Sequence, residues 1–168
     1  GIHELLGVIV LLCVASVFGT LATYRQYNES LRRVAYSDML TGGSNFTDFL
    51  MKVDSAEGGY MVSSDLDDYK MMVGVFGVQK GDDVLRGVYE CISGALKEGE
   101  PVARVDADHF VFYLKERQRS VVLERLRQIE RGIRRLSDKM GVLHVVPRFG
   151  VYAMRPEEDV RRACELSN

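Results

Sequence analysis

The chain begins with a long apolar run that dominates its hydropathy pattern. Residues 5–24 include no charged side chain and consist mainly of Leu, Val, Ile, Ala and Phe. A helix of about 20 such residues can cross the hydrocarbon core of a bilayer. Three arginines follow within the next nine residues, whereas only Glu4 precedes the run. The positive-inside rule then places the rest of the chain in the cytoplasm. The pattern predicts a transmembrane helix over 1–24; a buried core helix is the alternative, although such helices are usually shorter.

A shorter polar segment, 25–36, follows the apolar run. It carries Leu31, Val34 and Ala35 at helical spacing, which predicts a helical connector that continues out of the membrane. Connectors of this kind commonly pair with a second copy, but about one and a half heptads do not establish a coiled coil. A homodimer formed through this segment is therefore a hypothesis.

The remaining residues, 37–168, alternate between helical and extended patterns, with glycine pairs at 42–43 and 58–59 marking breaks. The predicted helices are 44–53 with Ser44 as its N-cap, 69–75, a segment from Gly81-Asp82 to Leu96, and 120–136. The predicted strands are 60–62 running up to an acidic cluster at 65–68, a hairpin of 101–105 and 110–114 with a four-residue turn, and 144–154.

Two of the predicted helices are strongly amphipathic. The first places Val84, Leu85, Val88, Ile92 and Leu96 on one face, and the second places Val122, Leu123, Leu126, Ile129, Ile133 and Leu136 inward. A last helix begins near Glu157 and is truncated by the end of the chain. Alternating helices and strands with an inserted antiparallel hairpin predict an α/β domain over 37–168, with a mixed central sheet flanked by helices.

Composition narrows the function only slightly. A hydrophobic content of 46% and a charged content of 27% are ordinary for a folded protein. The net charge of −2 gives no electrostatic basis for binding nucleic acid, which needs a basic surface. The three cysteines are far apart and form neither a metal-ligand pattern nor a disulfide framework, which suits a reducing compartment.

Two acidic segments carry the candidate chemistry. Asp65, Asp67 and Asp68 follow one predicted strand, and Asp106 and Asp108 lie in the turn of the predicted hairpin. Both segments adjoin apolar strands, so carboxylates from the two could meet at one edge of a sheet. Paired carboxylates in that position hold Mg²⁺ against the phosphates of a nucleotide.

Four motifs in order make the chain resemble the GGDEF family of diguanylate cyclase domains. They are Asp38-Met39-Leu40-Thr41-Gly42 followed by Asn45, Asp65-Leu66-Asp67 with Lys70, Phe76-Gly77 then Gly81-Asp82 with Leu85, and the hairpin Arg104 to Phe110. Together they cover most of 36–160, and four ordered matches are specific where any one alone is weak. The resemblance implies a nucleotidyl-cyclase-like fold with a signature β-hairpin.

The resemblance also implies site residues. In that family two protomers, each with one GTP and Mg²⁺, face each other and make cyclic di-GMP. By motif position Asp65 and Asp108 would be metal ligands, with Asp108 the catalytic candidate, and Leu66 would offer its backbone carbonyl. The nucleotide would be bound by Lys70 near the phosphates, by Tyr69, and by Asp82 through the guanine.

Several positions depart from the family pattern. Asp106 and Ala107 replace two turn glycines, and His109 replaces the second acid of the signature. On the guanine side Val73 replaces an asparagine, Gly74 replaces an acid and Val78 replaces a histidine. Elsewhere, Phe46 replaces an arginine. The product-inhibition motif is present only as Lys97-Glu98-Gly99-Glu100, so feedback binding of cyclic di-GMP is doubtful there.

Each candidate also has a plain structural interpretation. Asp65 could cap a strand end, Asp108 could stabilise the hairpin turn, and Asp82 could be the N-cap of the following helix. His109 is more simply an exposed turn residue than a metal ligand. The arginines of the 120–136 helix, Arg125, Arg127, Arg131, Arg134 and Arg135, alternate with glutamates and predict a solvated face.

The sequence therefore favours a membrane-anchored protein whose cytoplasmic GGDEF domain is degenerate and inactive. Such a domain would serve as a regulatory, GTP-sensing or dimerisation module, and in architectures of this kind it would precede a cyclic di-GMP phosphodiesterase domain of the EAL type. Two rival hypotheses are an active diguanylate cyclase with an unusual hairpin and a purely structural module without a ligand.

Overall fold

The structure, a computed structural model, describes residues 1–55, 57–142 and 145–168. These residues form two compact units, Gly1–Ala35 and Tyr36–Asn168.

The N-terminal unit is one continuous helix, α1 (Ile2–Tyr36), with no buried residue. Among the described residues it is the one helix long and apolar enough to cross a membrane. The hydroxyls of Thr20 and Thr23 donate to the backbone carbonyls of Ser16 and Gly19, each at 2.9 Å. Polar side chains of an apolar helix are thus satisfied within it, as a lipid environment requires. The same helix includes residues 25–36, the segment predicted to be a connector.

The second unit is built on a four-stranded sheet in the order β2-β3-β1-β4. The strands are β1 (Gly59–Asp67), β2 (Val102–Asp106), β3 (His109–Leu114) and β4 (Val146–Met154). All three neighbouring pairs are antiparallel. β1 and β2 run in the same direction, but β3 lies between them and runs the opposite way. Among the described residues, the parallel pairing expected of a mixed sheet is limited to the isolated bridge Ser44–Ala103.

Helices cover both faces of the sheet, which confirms the predicted layered α/β fold. Helices α3 (Tyr69–Phe76), α4 (Val78–Ala95) and α5 (Arg119–Met140) bury one face, and α2 (Phe46–Lys52) and α6 (Val160–Ser167) bury the other. Alternate residues of β1 divide between the two cores: Val62 and Leu66 face the first, and Met61 faces the second.

Two helices begin at residues other than those predicted. Asn45, and not Ser44, caps α2, because its side-chain oxygen accepts the amide of Asp48 at 3.0 Å. Helix α4 begins at Val78, directly after Gly77, so Asp82 lies inside the helix and its predicted role as an N-cap is wrong. Gly77 has a φ of 86°, which lets one glycine end α3 and start α4.

The hairpin and α5 also differ in detail. The hairpin turn holds two residues, Ala107 and Asp108, and not four, because both strands continue to the turn. In α5 Leu123 is exposed although it was predicted to lie inward, whereas Arg125, predicted on the solvated face, is buried. Residue 144, where the fourth strand was predicted to begin, lies outside the described residues.

Candidate functional site

The end of β1 and the start of β3 meet at the tip of the hairpin. The last residue pair between these strands is Ser64 and Phe110. One position closer to the hairpin tip, the Asp65 carboxylate lies against His109. His109 Nδ1 and Asp65 Oδ1 are 2.8 Å apart. The His109 side chain is only 15% exposed, so the interpretation as a free, exposed turn histidine is wrong. Asp65 itself is 63% exposed.

Asp108 folds back from the turn onto β1. The backbone amide of Leu66 donates to Asp108 Oδ2 at 3.3 Å. Asp65, Leu66 and Asp108 therefore come together at one sheet edge, as the motif positions imply. Each carboxylate already has a partner within the domain, because Asp65 meets an imidazole and Asp108 accepts a backbone amide.

Arg104 braces the hairpin from the other side. Its Nε donates to the carbonyl of Ala107 at 2.7 Å, and its Nη1 lies 2.9 Å from Asp38 Oδ2. The second oxygen of Asp38 accepts both the amide and the hydroxyl of Thr41, at 2.9 and 2.8 Å. Ala107 holds a φ of 34°, in the left-handed region that favours glycine. The tip is thus fixed by charged contacts around a strained turn.

Tyr69 lies between the hairpin and the start of α4. An added Cβ at Gly81 would meet the Tyr69 hydroxyl at 2.9 Å and Val73 Cγ2 at 2.7 Å, so both side chains sit directly over this glycine. Burial raises the pKa of Tyr69, the nearby charge of Asp82 raises it further, and Arg104 lowers it. The charges of Asp82, Arg104 and Asp108 thus act on the Tyr69 hydroxyl.

Lys70 stands apart from this group. It is exposed on α3 and forms no hydrogen bond or ion pair within the part of the chain that the structure describes. Nearby, Asp67 Oδ2 accepts Arg148 Nε at 2.6 Å across β1 and β4. The structure therefore brings Asp65, Leu66 and Asp108 together and leaves Lys70 on the outer surface.

The candidate metal donors are the carboxylates of Asp65 and Asp108 and the backbone carbonyl of Leu66. Within residues 1–55, 57–142 and 145–168, no group of three or more His, Cys, Asp or Glu side chains is arranged to hold a metal ion. Mg²⁺ demands hard oxygen ligands in near-octahedral geometry, and an imidazole is a poor substitute for a carboxylate. Asp65 and Asp108 offer two carboxylates, a number that Mg²⁺ commonly takes from a protein together with phosphate oxygens and water. His109 contacts one of them, Asp65, where the family pattern has an acid.

A second polar cluster lies at the opposite end of the hairpin. The carboxylate of Glu100 is fully buried and forms a two-pronged ion pair with Arg125, at 2.5 and 2.7 Å. The backbone amides of Lys97 and Lys115 donate to the same carboxylate at 2.7 and 2.9 Å. Arg125 also contacts Glu116 at 3.1 Å. We call these five residues the Glu100 network.

The Glu100 carboxylate is paired and hydrogen-bonded entirely within the Glu100 network. Burial by itself would raise the pKa of Glu100, but the hydrogen bonds from Arg125, Lys97 and Lys115 outweigh it and hold the pKa below its usual value. Glu100 therefore stays charged and satisfied in the interior. It occupies the segment where the family pattern has its product-inhibition motif, and its carboxylate has no free position for a ligand.

Sequence reasoning missed the partners of these charged groups. Asp65 and His109 face each other because β1 and β3 pair in antiparallel register. A prediction that extended each hairpin strand by one residue would have suggested this contact. The burial of Arg125 had a weaker signal: it lies next to Leu126 and one turn before Ile129, on the inward face of α5.

A protein-family profile described as "Diguanylate cyclase, GGDEF domain" matches residues 44–167. No curated protein sequence matches the chain significantly. The profile covers every candidate site residue and most of the second structural unit.

Solved structures share the fold at low sequence identity. The diguanylate cyclase SiaD from Pseudomonas aeruginosa, in complex with its activator SiaC, is 20% identical with a TM-score of 0.71; the match covers 98% of this chain and 67% of that one. The coiled coil and GGDEF domain of DgcB from Caulobacter crescentus, in complex with c-di-GMP, is 22% identical with a TM-score of 0.74, covering 90% and 86%.

A third structure is the S helix-GGDEF-EAL protein LapD from Vibrio cholerae, which is 15% identical with a TM-score of 0.64. This match covers 84% of the chain described here but 34% of LapD. At these identities the likeness establishes the fold.

Proposed function

Because this chain belongs to the GGDEF domain family, we propose that its domain is catalytically inactive and serves as a regulatory and dimerisation module in cyclic di-GMP signalling. The observation that carries the proposal is the state of the two candidate metal ligands. Asp65 is held by His109 at 2.8 Å, and Asp108 accepts the amide of Leu66 at 3.3 Å. Cyclisation of GTP needs these carboxylates on a metal ion and close to the triphosphate.

The turn of the hairpin supports the same conclusion. Asp106 places an exposed carboxylate beside the position that a triphosphate would occupy. Two like charges about 4 Å apart repel by roughly 1 to 4 kcal/mol, depending on the local dielectric. Ala107 adds a Cβ where the family has glycine, and a glycine lets the backbone approach phosphates more closely. The tip thus repels a reactive triphosphate both electrostatically and sterically.

The guanine side has also lost polar groups. Val73 packs over Gly81, and it stands where the family has an asparagine that binds the base. A valine offers neither a donor nor an acceptor to the edge of guanine. Asp82 keeps its position in the first part of α4, but one carboxylate alone gives a base little specificity. We therefore favour regulation through protein contacts over GTP sensing.

The remaining features of the proposal concern the setting of the domain. Helix α1 would anchor the protein in the inner, cytoplasmic membrane, with the domain in the cytoplasm. A homodimer and a following EAL domain belong to the same proposal. LapD provides an example of an S helix, a GGDEF domain and an EAL domain in one chain.

The decisive experiment is GTP turnover. The full chain, purified in detergent, is incubated with GTP and Mg²⁺ or Mn²⁺, and nucleotides are separated by chromatography, with the diguanylate cyclase SiaD as the positive control. We expect no cyclic di-GMP above the protein-free blank. Formation of cyclic di-GMP by the wild-type chain would establish the rival hypothesis of an active cyclase.

A metal-binding variant tests the reason for inactivity. His109→Glu places a third carboxylate beside Asp65, whereas the matched control His109→Gln removes the imidazole without adding charge. We expect bound Mn²⁺, measured by its electron paramagnetic resonance signal, to increase in H109E and not in H109Q or the wild type. If the wild type binds Mn²⁺ as tightly as H109E, the pairing with His109 does not impair the site.

A further inference from the structure

Two side chains of helix α3, Tyr69 and Val73, pack against the first turn of α4. They lie four residues apart and therefore on the same side of α3. A Cβ added to Gly81 of α4 would meet the Tyr69 hydroxyl at 2.9 Å and Val73 Cγ2 at 2.7 Å. Gly81 is itself buried. At this point the two helices leave no room even for one additional methyl group.

The Tyr69 hydroxyl lies within electrostatic reach of both parts of the candidate site. Asp82, the residue after Gly81, is half-buried in α4 and is the group expected to bind the base. Burial and the charge of Asp82 raise the pKa of Tyr69, Arg104 lowers it, and Asp108 of the hairpin raises it. With a raised pKa the phenol stays neutral at pH 7. A neutral ring thus fills space beside the Asp82 carboxylate.

A second tyrosine packs on a glycine in the same way but is held differently. The Tyr89 hydroxyl lies over Gly43, and the backbone of Ser44 forms a hydrogen bond with it. The Tyr69 hydroxyl, by contrast, forms no hydrogen bond within residues 1–55, 57–142 and 145–168. Tyr89 therefore fastens one segment to another, whereas Tyr69 contributes its volume and no bond.

We propose that Tyr69 and Val73 occupy the place of the base beside Asp82, so that the domain excludes guanine nucleotides by filling the site with its own side chains. Guanine presents two adjacent N–H groups to a carboxylate, and its flat ring needs the space directly beside that carboxylate. Val73 offers no polar group that could hold the base in exchange. The inference rests on the proposed function and deepens it, because it assigns the exclusion of the nucleotide to two residues.

The experiment measures binding of GMP to the full chain in detergent by isothermal titration calorimetry. GMP is chosen because Asp106 at the hairpin tip repels its single phosphate less than a triphosphate. Tyr69→Ala removes the ring over Gly81, and Val73→Asn supplies a donor and an acceptor for the edge of the base. We expect the Y69A/V73N double variant to bind GMP at least about tenfold more tightly than the wild type.

Three controls make the gain specific. AMP has the same size as GMP, but adenine lacks the pair of adjacent N–H donors, so its binding should not increase. Tyr89→Ala removes the other tyrosine that packs on a glycine and should leave GMP binding at the wild-type level. Adding Asp82→Ala to the double variant should abolish the gain, because the carboxylate that accepts the base is lost.

Two results would overturn the proposal. One is a Y69A/V73N protein that keeps the wild-type melting temperature and binds GMP no more tightly. The other is a wild type that binds GMP as tightly as the double variant. If loss of the ring lowers the melting temperature, Tyr69→Phe is used, because it removes only the hydroxyl over Gly81. Y69F/V73N should then bind GMP more tightly than V73N alone, and equal binding would contradict the role of Tyr69.

The outcome is separable from that of the GTP assay. Formation of cyclic di-GMP by the wild type would overturn the proposed function. Absence of any gain in GMP binding, with no turnover of GTP, would remove only the closed base site and leave the inactive regulatory domain standing.

Discussion

The β2–β3 hairpin carries a polar cluster at each end, and the two clusters differ in how completely they are enclosed. At the base, Glu100 is dry and accepts four hydrogen bonds, two of them from Arg125. At the tip, Asp65 is mostly exposed and has one partner, His109. The base is enclosed within the fold, whereas the tip lies at the surface and its carboxylates have fewer partners.

The comparison bears on three of the departures from the family pattern. A buried charge left without its partner is strongly destabilising, so the base resists substitution. Exposed ion pairs contribute little to stability, so residues at the tip can change at small cost to the fold. Asp106, Ala107 and His109 all lie at the tip. Substitutions at the tip therefore need not disturb the domain.

The largest effect on the free energy of unfolding should come from removing the Glu100–Arg125 ion pair at the base of the hairpin. Arg125→Ala leaves the Glu100 carboxylate buried without its ion pair, which we expect to lower the free energy of unfolding by about 3 to 5 kcal/mol. Urea denaturation followed by tyrosine fluorescence measures it, since the chain has eight tyrosines and no tryptophan. The control Arg127→Ala removes an exposed arginine of the same helix and should change stability by less than about 1 kcal/mol. Equal effects of the two substitutions would contradict the enclosed base.

A lower pH should also weaken the Glu100 network at the base of the hairpin. Because the folded-state pKa of Glu100 is lowered, the charged network stabilises the fold above the unfolded-state pKa of about 4.3, and this contribution is lost as the pH falls through the lower folded-state value. Glu100→Gln cannot titrate, so its unfolding free energy should be lower at pH 7 and decline less between pH 7 and pH 3. Denaturation series at several pH values test this, and an equal decline in both proteins would contradict it.

Removing the contacts of Arg104 at the tip should lower the free energy of unfolding less than removing those of Arg125 at the base. Arg104→Ala removes the hydrogen bond to the Ala107 carbonyl and the ion pair with Asp38, whose other oxygen keeps its two bonds to Thr41. We expect a loss of about 1 to 3 kcal/mol, because the groups are partly solvated and charged. The same urea assay applies. A loss greater than that of R125A would reverse the comparison between the two ends.

The smallest effect should be a gain of stability at the tip. Ala107→Gly relieves a left-handed backbone, and we expect the free energy of unfolding to rise by up to about 1 kcal/mol after the entropic cost of glycine is subtracted. The control Ala103→Gly makes the same change in a buried strand, where it should be destabilising. We expect no GTP turnover in A107G. A clear loss of stability in A107G would show that Ala107 is not strained.

Much of the domain followed from its sequence pattern. The 3.6-residue spacing of Val84, Leu85, Val88 and Ile92 predicted the buried face of α4, and all four are buried. The same rule placed Leu123 inward in α5, where it is exposed. Leu123 lies at the edge of the apolar arc, and only the angle at which a helix meets the sheet decides on which side of the surface such a residue falls.

The sequence by itself determined the order of helices and strands, the family motifs and the apolar N-terminal helix, because each of these depends on neighbouring residues and local periodicity. Tertiary structure alone decided which charges meet. His109 contacts Asp65 across 44 positions, and Arg125 contacts Glu100 across 25. Such pairs depend on strand register and on how helices pack against the sheet. The sequence shows which residues are charged, but it does not show which of them lie close together in the fold.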